Sequence, residues 1–428
     1  MGQVRRLKPS LPHLTVAPAA LTAAAVALGA ATAPAASAQG GALGAKLRKA
    51  IAPAGGAAGA YVVDITDGQT LYALRAQRRR APASVEKLYT TSTAIRQFGA
   101  DGRLVTAVLG AGALGPDGVY RGDLYLRGGG DPTFGSDSFA GRAYGEGATV
   151  QQLARALVAK GIRRVEGRVV GDETYFDTLR GGPDKGYRLD SEVGGELSAL
   201  AYNRGLANEQ GSAFQLRPAA FAAEQMDDAL GSAGVRVDGE PTAAASPPGA
   251  QELARAESPP MAVLIRLTNR PSDNFFAEML LKGLGAKFGG EGSTRAGATV
   301  VRSTVAPDGI SARFVDGSGL SRANQTSPLD VVRLLTAMAK DPNAAAFDGS
   351  LAVAGRNGTL SRRMRGTPAA GRCRAKTGTL SNVSALAGYC RARNGHELAF
   401  AFIMNGGAIG TYRAAQDQAA ATLARQGG

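Results

Sequence analysis

Histidine and cysteine are nearly missing from this chain. Its 428 residues hold two of each: His13, His396, Cys373 and Cys390. Structural zinc takes four ligands of this kind and catalytic zinc commonly three, so no metal centre is expected, and no cofactor is implied. A Ser-His-Asp triad has only His396 to draw on, because His13 falls in a leader-like segment. The chemistry must therefore rest mainly on Ser, Lys, Asp, Glu and Arg. Long apolar runs are also scarce. Past the first forty residues no segment is apolar enough to cross a bilayer. Gly and Pro number 59 and 20, about 18% of the chain, below the level that marks a disordered, low-complexity sequence. Hydrophobic residues make up 44%, which suits a globular protein of two or more domains.

Residues 1–38 read as a secretory signal peptide. Arg5, Arg6 and Lys8 form the basic start, an Ala-rich stretch runs from Ala20 to Ala33, and Ala36-Ser37-Ala38 fits the small-residue cleavage pattern. An uncleaved membrane anchor is the alternative. Against it stand the flanking Pro18 and Pro34 and the shortness of the stretch. Cleavage after Ala38 leaves 390 residues (428 − 38), without a membrane span, and takes the formal charge from +14 to +11. A positive excess favours anionic partners. Nucleic acid fits poorly, because the basic residues are dispersed and not interleaved with aromatics as a stacking platform requires. Anionic wall polymers or lipid head groups fit better. A solvated Arg-rich surface accounts for the same residues.

Along the chain, Leu43–Ala52 has helical amphipathicity. Tyr61–Ile65 and Thr70–Leu74 alternate as strands around a turn at Asp67-Gly68. Ser84–Phe98, preceded by Pro82, reads as a helix. Strands are expected at Leu104–Leu109, Asp123–Arg127 and Val165–Val170, and helices at Val150–Lys160 and Ala219–Gly231. Gly171–Gly195 reads as loop, and Pro241–Gly249 as a linker. Helices follow at Met261–Leu267, Asn274–Lys282, Leu329–Lys340 and Ala414–Arg425. Strands are expected around Arg374–Thr379, Ala385–Cys390 and Ala399–Met404. There is no internal repeat. The pattern implies an α/β (α+β) domain in two parts, 39–101 and 250–428, split by a mixed α/β insertion at 102–249, a plausible domain size.

Ser84-Val85-Glu86-Lys87 places Ser and Lys one helical turn apart at a helix start. The helix N-terminus favours negative charge developing on the Ser oxygen. A buried Lys beside another cation loses basicity and can act as general base. Ser-Lys is a known substitute for Ser-His. This is the single S-x-x-K in the chain, where composition predicts about 0.5 by chance. Ser272-Asp273-Asn274 is the single S-x-N and also reads as a helix N-cap. Lys376-Thr377-Gly378 is the single K-T-G and also reads as a strand end with a glycine bulge.

The three motifs, in this order, occur together in penicillin-binding proteins and class A β-lactamases. The sequence resembles that serine penicillin-recognising superfamily, and more narrowly its class C low-molecular-mass penicillin-binding proteins, the D-alanyl-D-alanine carboxypeptidases and endopeptidases. Gly122-Asp123-Leu124 with Gly130-Asp131-Pro132-Thr133, Gly171-Asp172 before Tyr175-Phe176, Ser272–Lys282 with Glu278 and Met279, and Asp316–Arg322 extend the resemblance over nearly all of the mature chain. Ser84 and Ser272 are 188 positions apart (272 − 84), shorter than in three-domain members, so a nested third domain is expected to be missing. Tyr187–Leu200 matches only loosely.

The resemblance implies a β-lactamase/transpeptidase-like fold with peptidoglycan stem peptides as substrate and β-lactams as covalent inhibitors. It makes Ser84 the nucleophile and Lys87 its base, with Ser272 relaying a proton to the leaving amine. Asn274 would hold the substrate amide, and Lys376 and Thr377 the terminal carboxylate. The backbone N–H groups of Ser84 and Thr379 would form the oxyanion hole. Arg322 would contact substrate, or else stand as a surface Arg after a Gly-rich turn. Asp190 or Glu192 is a candidate for the amino group of a diamino-acid stem, and Asp131 reads as a turn residue. Two other functions remain open: a serine β-lactamase, although no E-x-x-L-N pattern follows S-x-N, and a non-catalytic wall-binding protein on the same fold.

The cysteines follow from register. With a two-residue turn at Ser381-Asn382, paired positions sum to 763, so Cys373 faces Cys390. Cys373 then points to the side opposite Lys376, and an exported protein permits a disulfide there. Two reduced buried thiols are the alternative.

Overall fold

The computed structural model describes residues 41–208 and 213–427. The signal peptide expected at 1–38 lies outside the described residues.

The centre is a six-stranded antiparallel sheet. Its strands run in the order Ala352–Val353, Cys373–Leu380, Val383–Arg391, Glu397–Asn405, Ala58–Asp64, Thr70–Leu74. Val383–Arg391 sits inside the sheet, and every residue but the last is buried. That explains an apolar run without polar alternation, as expected of a strand covered on both faces. Leu386, Cys390, Phe400 and Phe402 pack toward the helices Ala42–Ile51 and Ile409–Ala424. Ala385, Ala387, Tyr389 and Ile403 face the other way, into a core built by Lys87–Phe98, Met261–Asn269, Asn274–Phe288 and Pro328–Met338. One helix of this layer, Thr294–Val305, was not anticipated. Its start is set by Ser293, whose side chain accepts from Ala296 N.

The inserted segment forms a second core. Five strands order as Thr242–Ala243, Val169–Asp172, Leu124–Arg127, Val105–Gly110, Gln251–Glu257, and the helices Val150–Ala159 and Pro218–Ser232 pack with them. Two expectations are corrected here. The strand expected over Val165–Val170 is two strands in two sheets: Arg164–Val165 pairs in a small four-stranded sheet, and Val169–Asp172 in the five-stranded one. The chain turns between them at Gly167, where a Cβ would lie 2.4 Å from Gly122 O. The expected boundary at 249/250 falls too early. Thr242–Ala243 pairs with Val170–Gly171, and Gln251–Glu257 pairs with Val105–Gly110, so the chain leaves the inserted sheet only after Glu257. Edge-strand pairing is a long-range property that local composition does not encode.

Among the described residues no helix is long and apolar enough to cross a membrane.

Candidate active site

Ser84 lies in a tight 3-10 turn, Ala83–Glu86, and the α-helix proper begins at Lys87. Ala83 has φ 48°, uncommon for a residue with a Cβ. Two glycines allow the turn to seat. A Cβ at Gly319 would lie 2.0 Å from Ala83 O, and one at Gly378 would lie 2.5 Å from Pro82 O. The Gly of K-T-G and the second Gly of the Asp316–Arg322 loop are thus required for close backbone approach.

Lys87 is wholly buried. Its Nζ is 3.0 Å from Ser84 Oγ, 2.6 Å from Asn274 Oδ1 and 2.6 Å from the carbonyl of Ser318. Two of these partners can only accept a hydrogen bond; Ser84 can donate. A neutral amine satisfies all three, giving two N–H bonds to Asn274 and Ser318 and turning its lone pair to the Ser84 hydroxyl. Burial pushes the Lys87 pKa down to about 8, held from falling further by the carboxylates of Asp316, Glu278, Asp273 and Glu86. The carboxylates also build the site. Glu278 accepts from Gly317 N and Ser318 N, and Asp316 accepts from Gly319 N, Ser321 N and Asn324 Nδ2, which together present the Ser318 carbonyl to Lys87. Burial first, then repulsion from Asp316 and Glu278, raises Glu86 well above the usual carboxylate range.

Ser272 takes φ 68°, a left-handed conformation, at the entry to the helix that starts at Asn274. Asp273 caps that helix by accepting from Phe276 N. Arg204, from the inserted segment, donates to both Asp273 oxygens at 2.8 and 3.1 Å and lies 4.7 Å over the Phe275 ring. Asn274 Nδ2 donates to the carbonyl of Glu192 at 2.7 Å.

The strand Cys373–Leu380 supplies the third wall. Lys376 pairs with Ala387, and Cys373 pairs with Cys390 on the other face, where the two form a disulfide. Lys376 is wholly buried, with Nζ 2.7 Å from Ser272 Oγ and 2.9 Å from Thr377 O. Burial, then the neighbouring Lys87, pushes its pKa well below the usual lysine value. Its Nζ therefore lies beneath the pocket surface and Lys376 is not part of the lining, where a carboxylate contact was expected.

Ser84, Ser272, Asn274, Thr377 and Thr379 line one pocket of about 520 Å³. Leu320, Thr359, Arg362, Arg363 and Arg413 complete the lining. A groove of about 770 Å³ between the first and last helices contains none of these residues. Arg322 does not line the pocket. Its guanidinium is taken by the turn at Ser381-Asn382, donating to Ser381 O, Ser381 Oγ and Asn382 Oδ1. Asp190 and Glu192 do not line it either. Asp190 closes a turn on Glu192 N, and the Glu192 carboxylate pairs with Lys185. Asp131 closes a turn on Thr133, as its place before Pro132 suggested. His396 pairs with Asp64 and does not line the pocket, so among the described residues Ser84 has no histidine partner.

Sequence reasoning did not single out Arg204, Arg413 or the buried carboxylates. Glu278 and Asp316 stood inside quoted motifs, but nothing local marked them as buried. Arg413, on the C-terminal helix, carried no motif at all.

The D-Ala-D-Ala carboxypeptidase 3 (S13) family model matches residues 43–193 and 204–426. A D-alanyl-D-alanine carboxypeptidase of Actinomadura sp. strain R39 is 31% identical, across 86% of this chain and 81% of that protein. The carboxypeptidase DacB of Mycolicibacterium smegmatis is 32% identical, across 85% of this chain and 79% of that protein. In fold, the crystal structure of penicillin-binding protein 4 from Haemophilus influenzae superposes with a TM-score of 0.72 at 21% identity, covering 88% of this chain and 98% of that one. Motifs, fold and family match agree, and the chain belongs to the D-Ala-D-Ala carboxypeptidase 3 (S13) family of serine peptidases, the class C low-molecular-mass penicillin-binding proteins.

Proposed function

We propose that this protein is an exported DD-peptidase that cleaves the D-Ala-D-Ala bond of peptidoglycan stem peptides through an acyl-enzyme on Ser84. Cross-link cleavage at D-Ala is the same reaction with a larger leaving amine. The observation that carries the reading is the Lys87 Nζ, buried and 3.0 Å from Ser84 Oγ, with its two other contacts made to pure acceptors.

In the first half-reaction, neutral Lys87 takes the Ser84 proton as Oγ attacks the penultimate D-Ala carbonyl. The oxyanion is received by the backbone N–H groups of Ser84 and Thr379, where a lost donor typically costs about 3–4 kcal/mol of barrier. The C–N bond breaks, and Ser272, hydrogen-bonded to Lys376 at 2.7 Å, relays to the departing amine the proton that Lys87 took up, which leaves Lys87 neutral again and the Ser272 hydroxyl intact. Water then attacks the ester and frees Ser84. Asn274 takes part through Lys87, whose position it fixes, and through the substrate amide. A β-lactam would acylate Ser84 by the same first step.

A serine β-lactamase is the competing reading. Fast deacylation by the class A route needs a carboxylate that activates water at the ester. The described pocket lining contains no Asp or Glu, which favours a long-lived acyl-enzyme and hence a penicillin-inhibited peptidase.

Intact mass after incubation with benzylpenicillin tests this. The expected result is one penicilloyl adduct, mapped to Ser84, lasting minutes or longer and missing in Ser84→Ala. Rapid drug turnover without an adduct would establish the β-lactamase. Cleavage of D-Ala-D-Ala peptide by Ser84→Ala would overturn the mechanism.

A further inference from the structure

Arg96, Arg204, Arg363 and Arg374 each engage a carboxylate. The cations of one groove do not. It lies between the helices Ala42–Ile51 and Ile409–Ala424, has a volume of about 770 Å³ and carries Lys46, Lys49 and Arg425. All three are exposed, and among the described residues none of their side chains makes a hydrogen bond or an ion pair. The described lining contains no Asp or Glu. Lys46 and Lys49 are three residues apart on one helix and so share a face. Arg425 stands on the other wall, just past the end of the second helix. The floor between them is apolar and low. Leu43, Ala50 and Ala415 are buried there, and two of the three carry only a methyl group. Thr411 and Gln418 add neutral donors and acceptors to the same lining.

We propose that this groove is a docking site for a linear wall polyanion of the poly(polyol phosphate) class, whose phosphodiesters alternate with short hydroxylated carbon units. The argument is charge complementarity in a concave site. The phosphodiesters meet Lys46, Lys49 and Arg425, with no acid beside them to repel the chain. The carbon units lie over Leu43, Ala50 and Ala415. The volume is far larger than a single phosphate needs. A bilayer fits less well. A surface that binds one turns large apolar side chains outward. Among the described residues the exposed large apolar side chains are Leu114, Leu179, Leu216 and Phe288, and none lines the groove. The position also matters. The helix Ile409–Ala424 borders both places, with Thr411 and Ala414 in the groove lining and Arg413 in that of the catalytic pocket. Docking beside the pocket keeps the enzyme on the wall and raises the effective concentration of stem peptide.

The test measures binding of a fluorescein-labelled oligo(glycerol phosphate) to the mature protein at physiological ionic strength. Wild type is compared with Lys46→Gln/Lys49→Gln/Arg425→Gln. A control with the same charge change, Lys160→Gln/Lys287→Gln/Arg302→Gln, alters exposed residues outside the groove. The expected result is a loss of tenfold or more in the groove variant and under threefold in the control. The slope of log affinity against log salt should shrink by about 2 in the groove variant alone, as fewer counterions are released. Ser84 acylation by benzylpenicillin should be the same in all three proteins, which shows that the fold is kept. No binding, or equal losses in both variants, would overturn the proposal. Wild-type binding to phosphatidylglycerol/phosphatidylcholine vesicles but not to the polymer would assign the groove to a bilayer. A dimer in sedimentation that only the groove variant breaks would assign it to a second copy. Either result would overturn the proposal. A wild type that binds the polymer but is not acylated would overturn the peptidase reading and leave the docking site standing.

Discussion

Arg204 and Asp273 are joined by two hydrogen bonds of 2.8 and 3.1 Å, and Asp273 is the residue between Ser272 and Asn274. A side chain of the inserted segment thus holds the backbone on which two candidate catalytic groups hang. Ser272 takes a left-handed φ of 68°, a conformation that persists only where the surroundings hold it. Arg204 itself is anchored to the Gly194 carbonyl and stacked over Phe275.

Arg204→Met should therefore slow Ser84 acylation by about tenfold or more and lower stability by about 2–3 kcal/mol, the range for losing charge-assisted bonds at a largely buried pair. A double-mutant cycle with Asp273→Asn should show strong coupling, because either change alone removes the pair. Additive effects on the acylation rate would show that the clamp does not position Ser272.

Acylation should be strongly pH-dependent. Lys87 is lowered to about 8 by burial, against the opposing carboxylates of Asp316, Glu278, Asp273 and Glu86. The form that accepts a proton exists above that value. Below it the rate should fall about tenfold per pH unit as the neutral fraction falls. Stopped-flow acylation between pH 5.5 and 9.5 should show a rising limb with its midpoint near 8. A flat profile over this range would remove Lys87 as the base.

The disulfide lies behind the strand that carries Lys376, with Cys373 and Cys390 separated by 17 positions and packed toward the first and last helices. Replacing both by Ser should cost about 3 kcal/mol for a loop of this size, seen as a lower thermal midpoint. The acylation rate should stay within about threefold, since side chains on opposite strand faces do not touch. A large rate loss with no stability loss would contradict this division.

Asp131 is fully buried and its pKa is raised to about 7, burial outweighing its bonds from Thr133. Among the described residues one of its carboxylate oxygens has no hydrogen-bond partner. The folded state binds this proton more tightly than the unfolded chain does. Its destabilising contribution is thus absent below about pH 4, builds as pH rises through the 4–7 window, and is complete above 7. Denaturant unfolding of the wild type should lose stability across that window, and Asp131→Asn should show a shallower slope. Parallel curves would place the charge elsewhere.

Local chemistry was legible in the sequence. Ser84-Val85-Glu86-Lys87, Ser272-Asp273-Asn274 and Lys376-Thr377-Gly378 pointed to one kind of site through the family they resemble, while covalent spacing by itself put only Ser84 and Lys87 on a shared face. The pairing of Cys373 with Cys390 followed in the same way, since a two-residue turn sets the register of everything behind it. The signal for the inserted segment was legible only in outline. Its last strand, Gln251–Glu257, finds its partner about 145 residues earlier, at Val105–Gly110, and no local pattern names a partner at that distance.

The working surroundings were decided by tertiary structure. Burial took Lys376 out of the pocket lining and left Arg413 in it. Contact with the Ser381-Asn382 turn removed Arg322 from the site. Buried carboxylates met around Lys87 from three separate stretches of chain, at Glu86, Glu278 and Asp316. Sequence specifies which groups can ionise and donate. Desolvation and the partners that folding brings within reach decide which state each group holds and what it touches.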